Sequence, residues 1–160
     1  MNKNQSGFTL IEIIIAVAVA GLIISAITGT IFQVFTTNTR DTAHMVAVKQ
    51  VENAVHWISR DAQMAQVIEP GEDSGFPLNL SRIGKNNWYQ VTYTLGGGEL
   101  QRLYSVNGED PIVTLVARFI DPEMTYCEFE EDVLIYKITT AVGDGSQSES
   151  RVCQVTPRPQ

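Results

Sequence analysis

Residues 8–35 read FTLIEIIIAVAVAGLIISAITGTIFQVF, with 20 of 28 positions apolar and Glu12 as the only charge. At about 1.5 Å per residue, a helix of this length crosses a hydrocarbon core of roughly 30 Å. A buried core helix seldom runs so far without charge, so the stretch reads as a membrane-spanning helix. It does not read as a removable secretory signal. Such signals have an apolar stretch of about 7–15 residues closed by a small-residue cleavage site and a polar break. Here Ala16, Ala18 and Ala20 lie inside the run, with Leu22, Ile23 and Ile24 beyond them. The segment is expected to stay attached.

Working outward, Lys3 precedes the span, and residues 40–160 hold 10 basic and 17 acidic side chains. Positive-inside bias therefore puts the short N-terminus in the cytoplasm and the rest outside. The whole chain has 160 residues and a formal charge of −7. With no basic cluster it is a poor candidate for nucleic-acid binding, which draws affinity from neutralised phosphates. Its 44% hydrophobic content excludes disorder. The part after the span is long enough for one domain with a modest core. Cys127 and Cys153 are too few for a disulfide-rich scaffold; one bridge and two buried free thiols are both compatible with the residues.

Glu12 is anomalous. A carboxylate in a membrane helix costs on the order of 2.5–3.5 kcal/mol at the bilayer centre and less towards the edge. No Lys or Arg follows within two helical turns. Either Glu12 sits near enough to the interface to stay hydrated or protonated, or its partner comes from another molecule.

Lys3-Asn4-Gln5-Ser6-Gly7 followed by Phe8-Thr9-Leu10-Ile11-Glu12 resembles the type IV prepilin signal. The resemblance implies that prepilin peptidase cuts between Gly7 and Phe8 and methylates the new N-terminal Phe8. Residues 1–7 would be the leader, 8–35 the transmembrane and filament-core helix, and 36–160 a periplasmic pilin-like domain. The processed chain, with 10 basic and 18 acidic side chains, would carry −8. The resemblance also supplies a partner for Glu12: the Phe8 α-amine of a neighbouring subunit, a pair that sets axial register more than stability. Other pseudopilins or pilins and inner-membrane lipid are the implied partners, and a C-terminal disulfide between Cys127 and Cys153 is favoured.

Residues 36–68 lack Pro and Gly and turn amphipathic. Ala47, Val51, Ala54, Val55, Ile58, Ala62, Ala65 and Ile68 recur at three- and four-residue steps, and Pro70-Gly71 closes the pattern. One helix of about 60 residues from Phe8 is expected. After a loop from Glu69 to Pro77 come short β-type runs: Trp88–Leu95, Glu99–Val106, Ile112–Phe119, Met124–Phe129, Val133–Val142 and Arg151–Val155. Gly96-Gly97-Gly98 makes a hairpin turn, and residues 143–150 a polar loop. The expected class is α+β, a long N-terminal helix packed against a small antiparallel sheet, as the pilin resemblance also implies.

Catalytic signatures are weak. His44 and His56 are too far apart on one helix to share a metal. No nucleophile elbow or phosphate loop occurs. The acids Asp121, Glu123, Glu128, Glu130, Glu131 and Asp132, and Asp144 with Glu149, lack the spacing of a calcium loop. No metal, cofactor or enzymatic activity is expected. Asn79-Leu80-Ser81 fits a glycosylation sequon, a pattern common by chance.

Many major pilins have proline at the twenty-second mature residue, where this chain has Gly29, and K-type tip subunits lack the glutamate that is Glu12 here. The stretch Val55-His56-Trp57-Ile58-Ser59-Arg60-Asp61-Ala62-Gln63-Met64-Ala65 is similar to J-type minor pseudopilins and W-type minor pilins, where an Arg-Asp pair precedes small apolar residues. The resemblance implies a structural subunit of a type II secretion pseudopilus, active in assembly or at the tip. The alternative is a minor pilin of a type IV or DNA-uptake pilus. A membrane-anchored periplasmic enzyme or binding domain is the reading from another class.

Overall fold

The computed structural model describes residues 9–72, 74–143, 145 and 147–157. It holds one long helix, α1 (Leu10–Met64), and eight strands: β1 (Val67–Glu69), β2 (Leu78–Ile83), β3 (Trp88–Gly96), β4 (Glu99–Val106), β5 (Ile112–Arg118), β6 (Tyr126–Glu130), β7 (Val133–Val142) and β8 (Gln147–Val155). The chain divides into two units, Met1–Asp41 and Thr42–Gln160.

In the first unit every described residue is exposed, including Ile13, Val17, Ile24 and Phe35. Apolar side chains all round a helix mark a segment whose solvent is not water. Five of its hydroxyls close on their own backbone: Ser25, Thr28, Thr30, Thr36 and Thr39 donate at 2.8–3.0 Å to the carbonyl four residues earlier. That leaves no unpaired hydroxyl donor on those side chains, which an apolar medium would penalise.

In the second unit, the α1 stripe Ala47, Val51, Ala54, Ile58 and Ala62 is buried against antiparallel sheets, as the three- and four-residue spacing predicts. Small residues let the backbones approach, and the bulk comes from Tyr93, Tyr136, Leu78, Leu80, Leu100, Leu134 and Ile138, all buried. The fold is α+β, with two sheets in place of the single small one expected: a five-stranded β1-β2-β3-β4-β5 meander and a three-stranded β6-β7-β8 meander.

The helix ends at Met64, earlier than Pro70-Gly71 implied. Ala65 makes one tight turn to Ala62, and Gln66 N–H then donates to Ser81 at 2.8 Å, so strand pairing captures the chain. Ile68 therefore lies on β1, opposite Leu80, and is not part of the helix stripe. The β2 strand was absent from the predicted runs, and β8 starts inside the expected polar loop. The expected hairpin turn forms, but from two residues, Gly97 and Gly98 with φ of 60° and 74°, because Gly96 pairs with Glu99 as the last residue of β3. Glu131 and Asp132 adopt positive φ in the equivalent turn between Glu130 and Val133, so two of the acids weighed for calcium build a hairpin.

The bridge between Cys127 and Cys153 is corrected. Both cysteines are free. Cys127 on β6 and Cys153 on β8 both pair with Tyr136 on the central strand β7, one from each side. Two strand spacings separate their Cα atoms by about 10 Å, beyond the roughly 7 Å limit for a disulfide.

Candidate functional site

The start of α1 is built locally. Thr9 Oγ1 and Thr9 N–H both donate to Glu12 Oε2, at 2.8 and 2.9 Å, and Glu12 N–H points back to Thr9 Oγ1 at 3.4 Å. This is a capping box: the N-cap threonine and the glutamate three residues on satisfy each other's exposed amides. The spacing Thr9-Leu10-Ile11-Glu12 carries that signal in the sequence. Glu12 shares its exposed helix face with Ile13, Ala16, Val17 and Ala20, which frame a shallow apolar surface. An acid at the helix start, beside small side chains, offers a neighbouring helix a close approach and one anionic anchor. Gly7 and Phe8, the expected cleavage and methylation residues, lie outside the described residues.

Residues 2–28 match the family model of the prokaryotic N-terminal methylation motif. The match supports a type IV pilin-like prepilin signal. The signal implies processing by prepilin peptidase and assembly with other pilins, and with the long apolar helix it fits a membrane-anchored single-pass protein. No curated protein and no solved structure matches the chain.

Beyond the prepilin signal, a second constellation holds the C-terminal turns of α1 on the five-stranded sheet. Asp61 is 4% exposed, yet its carboxylate is fully engaged. Tyr93 Oη donates to Asp61 Oδ2 at 2.7 Å, Arg102 Nε to the same oxygen at 2.5 Å, and Arg102 Nη2 to Oδ1 at 3.3 Å. Arg60 Nη2 lies 3.5 Å from Oδ1. Burial, then the Asp61 charge, pushes the Tyr93 phenol far above its ordinary value. Burial works against the Arg102 charge, but Asp61 holds that guanidinium above its ordinary value. A buried anion persists only when paired and hydrogen-bonded, and here one carboxylate receives donors from two strands. Sequence reasoning noted Arg60-Asp61 only as a likeness. Tyr93 and Arg102 are cross-strand partners, which no local pattern marks.

On the three-stranded sheet, Tyr136 hydrogen-bonds Ser59 at 2.6 Å and donates to the Val55 carbonyl at 3.2 Å, tying β7 to α1. The Cys127 thiol donates to the Gly75 carbonyl at 2.8 Å, and burial, then Glu128, pushes it up to about 12. A thiol so placed is held protonated and is a poor nucleophile. Among the described residues no group of three or more His, Cys, Asp or Glu is arranged to hold a metal ion.

Proposed function

We propose that the chain is a non-enzymatic minor subunit, a pseudopilin, of a type II secretion pseudopilus. The observation that carries this reading is the methylation motif at residues 2–28 running directly into a helix apolar on all sides. Gly29, where major pilins have proline, and the Arg60-Asp61 pair of the J- and W-type likeness support a minor role.

The work of such a subunit is assembly. The N-terminal half of α1 stores the subunit in the inner membrane, with the N-terminus cytoplasmic and the sheet-bearing unit periplasmic. Cleavage after Gly7 exposes the Phe8 amine. Glu12, capping its own helix through Thr9, lies four residues after Phe8 in sequence and presents its carboxylate on the outside. Exchange of the Thr9 donors for a neighbour's ammonium keeps the carboxylate hydrogen-bonded while the helix moves from lipid into a bundle. No catalytic role is required of the buried polar groups, since Asp61, Tyr93 and Arg102 are committed to holding helix on sheet.

Intact-mass and N-terminal analysis of membrane-extracted protein tests the reading. A chain starting at N-methylated Phe8 is expected; one starting at Met1 in peptidase-competent cells would sink it. Crosslinking from exposed helix positions such as Glu52 separates the two filament types. Capture of secretion pseudopilins is expected, and capture of pilus subunits instead gives the chain to a type IV pilus.

A further inference from the structure

The sheet face that packs on α1 runs past the helix. Two residues beyond the buried Leu80, Val91 and Arg102, the same face reaches Arg82, Tyr89 and Tyr104, which are only half-buried. With Trp57 and Arg60 from α1 they line a groove of about 290 Å³.

Its chemistry is uneven. Three guanidiniums, those of Arg60, Arg82 and Arg102, line it with one carboxylate, Asp61, which pairs with Arg60 and Arg102, so the groove carries a formal surplus of two positive charges in a chain of formal charge −7. Arg82 meets no carboxylate among the described residues; its guanidinium lies 4.4 Å from the Tyr89 ring centroid. Arg60 and Arg102 lie 4.2 and 5.0 Å from the Trp57 ring, Arg102 is also 5.1 Å from Tyr104, and Tyr89 stacks on Tyr104 at 6.5 Å. Stacking on rings fixes a guanidinium's plane while leaving its N–H edge free to grip an anion. Asp61 engages Nε and Nη2 of Arg102, which leaves an incoming anion to Arg60 and Arg82. The aromatic rings beside these donors offer apolar contact to whatever carries the anion.

We propose that this groove binds a carboxylate-bearing segment of a partner protein, an Asp or Glu side chain next to an apolar residue. The carboxylate is received by Arg82 and Arg60, and the apolar neighbour rests on Tyr89, Tyr104 and Trp57. The volume suits one or two side chains, not an extended polyanion. A phosphate backbone would need a run of cations, and the chain as a whole carries −7. The site is independent of the filament reading, since it asks nothing of residues before Trp57.

The test uses the full chain in zwitterionic detergent micelles, with Trp88→Phe leaving Trp57 as the only tryptophan reporter. The probes are N-acetyl-Phe-Asp-Phe-amide and its Asn counterpart, with a short oligothymidylate as the competing anion. Saturable quenching of Trp57 by the Asp peptide is expected below about 1 mM. The Asn peptide, and separately Arg82→Gln or Arg60→Gln, should weaken it roughly tenfold, as befits a lost charge-assisted hydrogen bond. Lys85→Gln, outside the groove, should leave it unchanged. Equal binding of the Asp and Asn peptides, no effect in both arginine variants, no saturation below about 1 mM, or tighter binding of the oligothymidylate would each overturn the proposal.

Discussion

Replacing Asp61 with leucine should cost the domain about 3–5 kcal/mol, because it strands a guanidinium whose side chain is 10% exposed and a phenol that is fully buried. Arg102→Met alone should cost a similar amount, since it leaves the Asp61 carboxylate, 2% exposed, with Tyr93 as its remaining close donor. The double variant Asp61→Leu with Arg102→Met removes both charges and fills the space with carbon. It should lose far less than the sum, leaving chiefly the orphaned Tyr93 hydroxyl at about 1–3 kcal/mol. Tyr93→Phe alone removes one hydrogen bond to a charged acceptor and should cost about 1.5–3 kcal/mol. For a unit of this size each kcal/mol lowers the melting temperature by about 4 °C, so the Asp61 variant should melt roughly 12–20 °C below the parent. Thermal unfolding of the detergent-solubilised chain, followed by near-ultraviolet circular dichroism, reads the sheet-bearing unit without the signal of the apolar helix. The reasoning fails if Asp61→Leu costs under about 1 kcal/mol, or if the double variant is as unstable as the two single losses added together.

Further consequences are smaller and separable. Since Cys127 and Cys153 flank Tyr136, oxidised protein should retain two thiols by mass; Cys153 should react with Ellman's reagent in the folded state, and Cys127 only after denaturation. Burial raises the Cys127 thiol from 9.0 to about 12, so the folded state keeps a proton that the unfolded chain has lost. Stability from this group is therefore complete below about pH 9 and declines as pH rises towards 12; urea titrations across that range should show a shallower decline in Cys127→Ala. Gly75 has φ of 78°, and a Cβ there would run into the Cys127 carbonyl oxygen and lie 2.5 Å from its sulfur, whereas one at Gly97 meets nothing within 4 Å. Gly75→Ala should cost at least about 2 kcal/mol and Gly97→Ala about 1 kcal/mol in urea unfolding, backbone strain acting in both and overpacking only in the first. Thr9→Val, which removes the capping hydroxyl, should weaken the start of α1 by about 1 kcal/mol, seen as faster amide exchange at residues 10–12.

The parts of this protein written in short-range pattern were legible. A continuous apolar run needs no partner to declare its solvent, and three- and four-residue spacing from Ala47 to Ala62 places one stripe against whatever core exists. The Gly97-Gly98 turn follows from what those residues permit at positive φ. Glu12 stood out because a lone charge in an apolar helix demands a partner. Legibility faded where the determining contact was distant in sequence. Val67–Glu69 became a strand because Ser81 and Leu80 arrived beside it, while the Pro70-Gly71 breaker signal pointed a few residues too far along. β2 escaped notice because Arg82, Ser81 and Asn79 dilute its alternation, and only pairing with β3 makes it a strand.

The sequence by itself determined the apolar helix, its amphipathic continuation, the antiparallel strands after it and the motif at its head, since each depends on neighbours a few residues away. Tertiary structure alone decided that there are two sheets, that Cys127 and Cys153 stand on opposite sides of Tyr136, and that Asp61 meets Tyr93 and Arg102. Strand register governs the last two, because it sets Tyr93 beside Arg102 and Tyr136 between Cys127 and Cys153, partners 9 to 17 positions apart in the chain. A register shift of one residue would turn Arg102 and Tyr104 to the opposite face of the sheet and abolish both the buried ion pair and the groove, with no change in the local propensities along the chain.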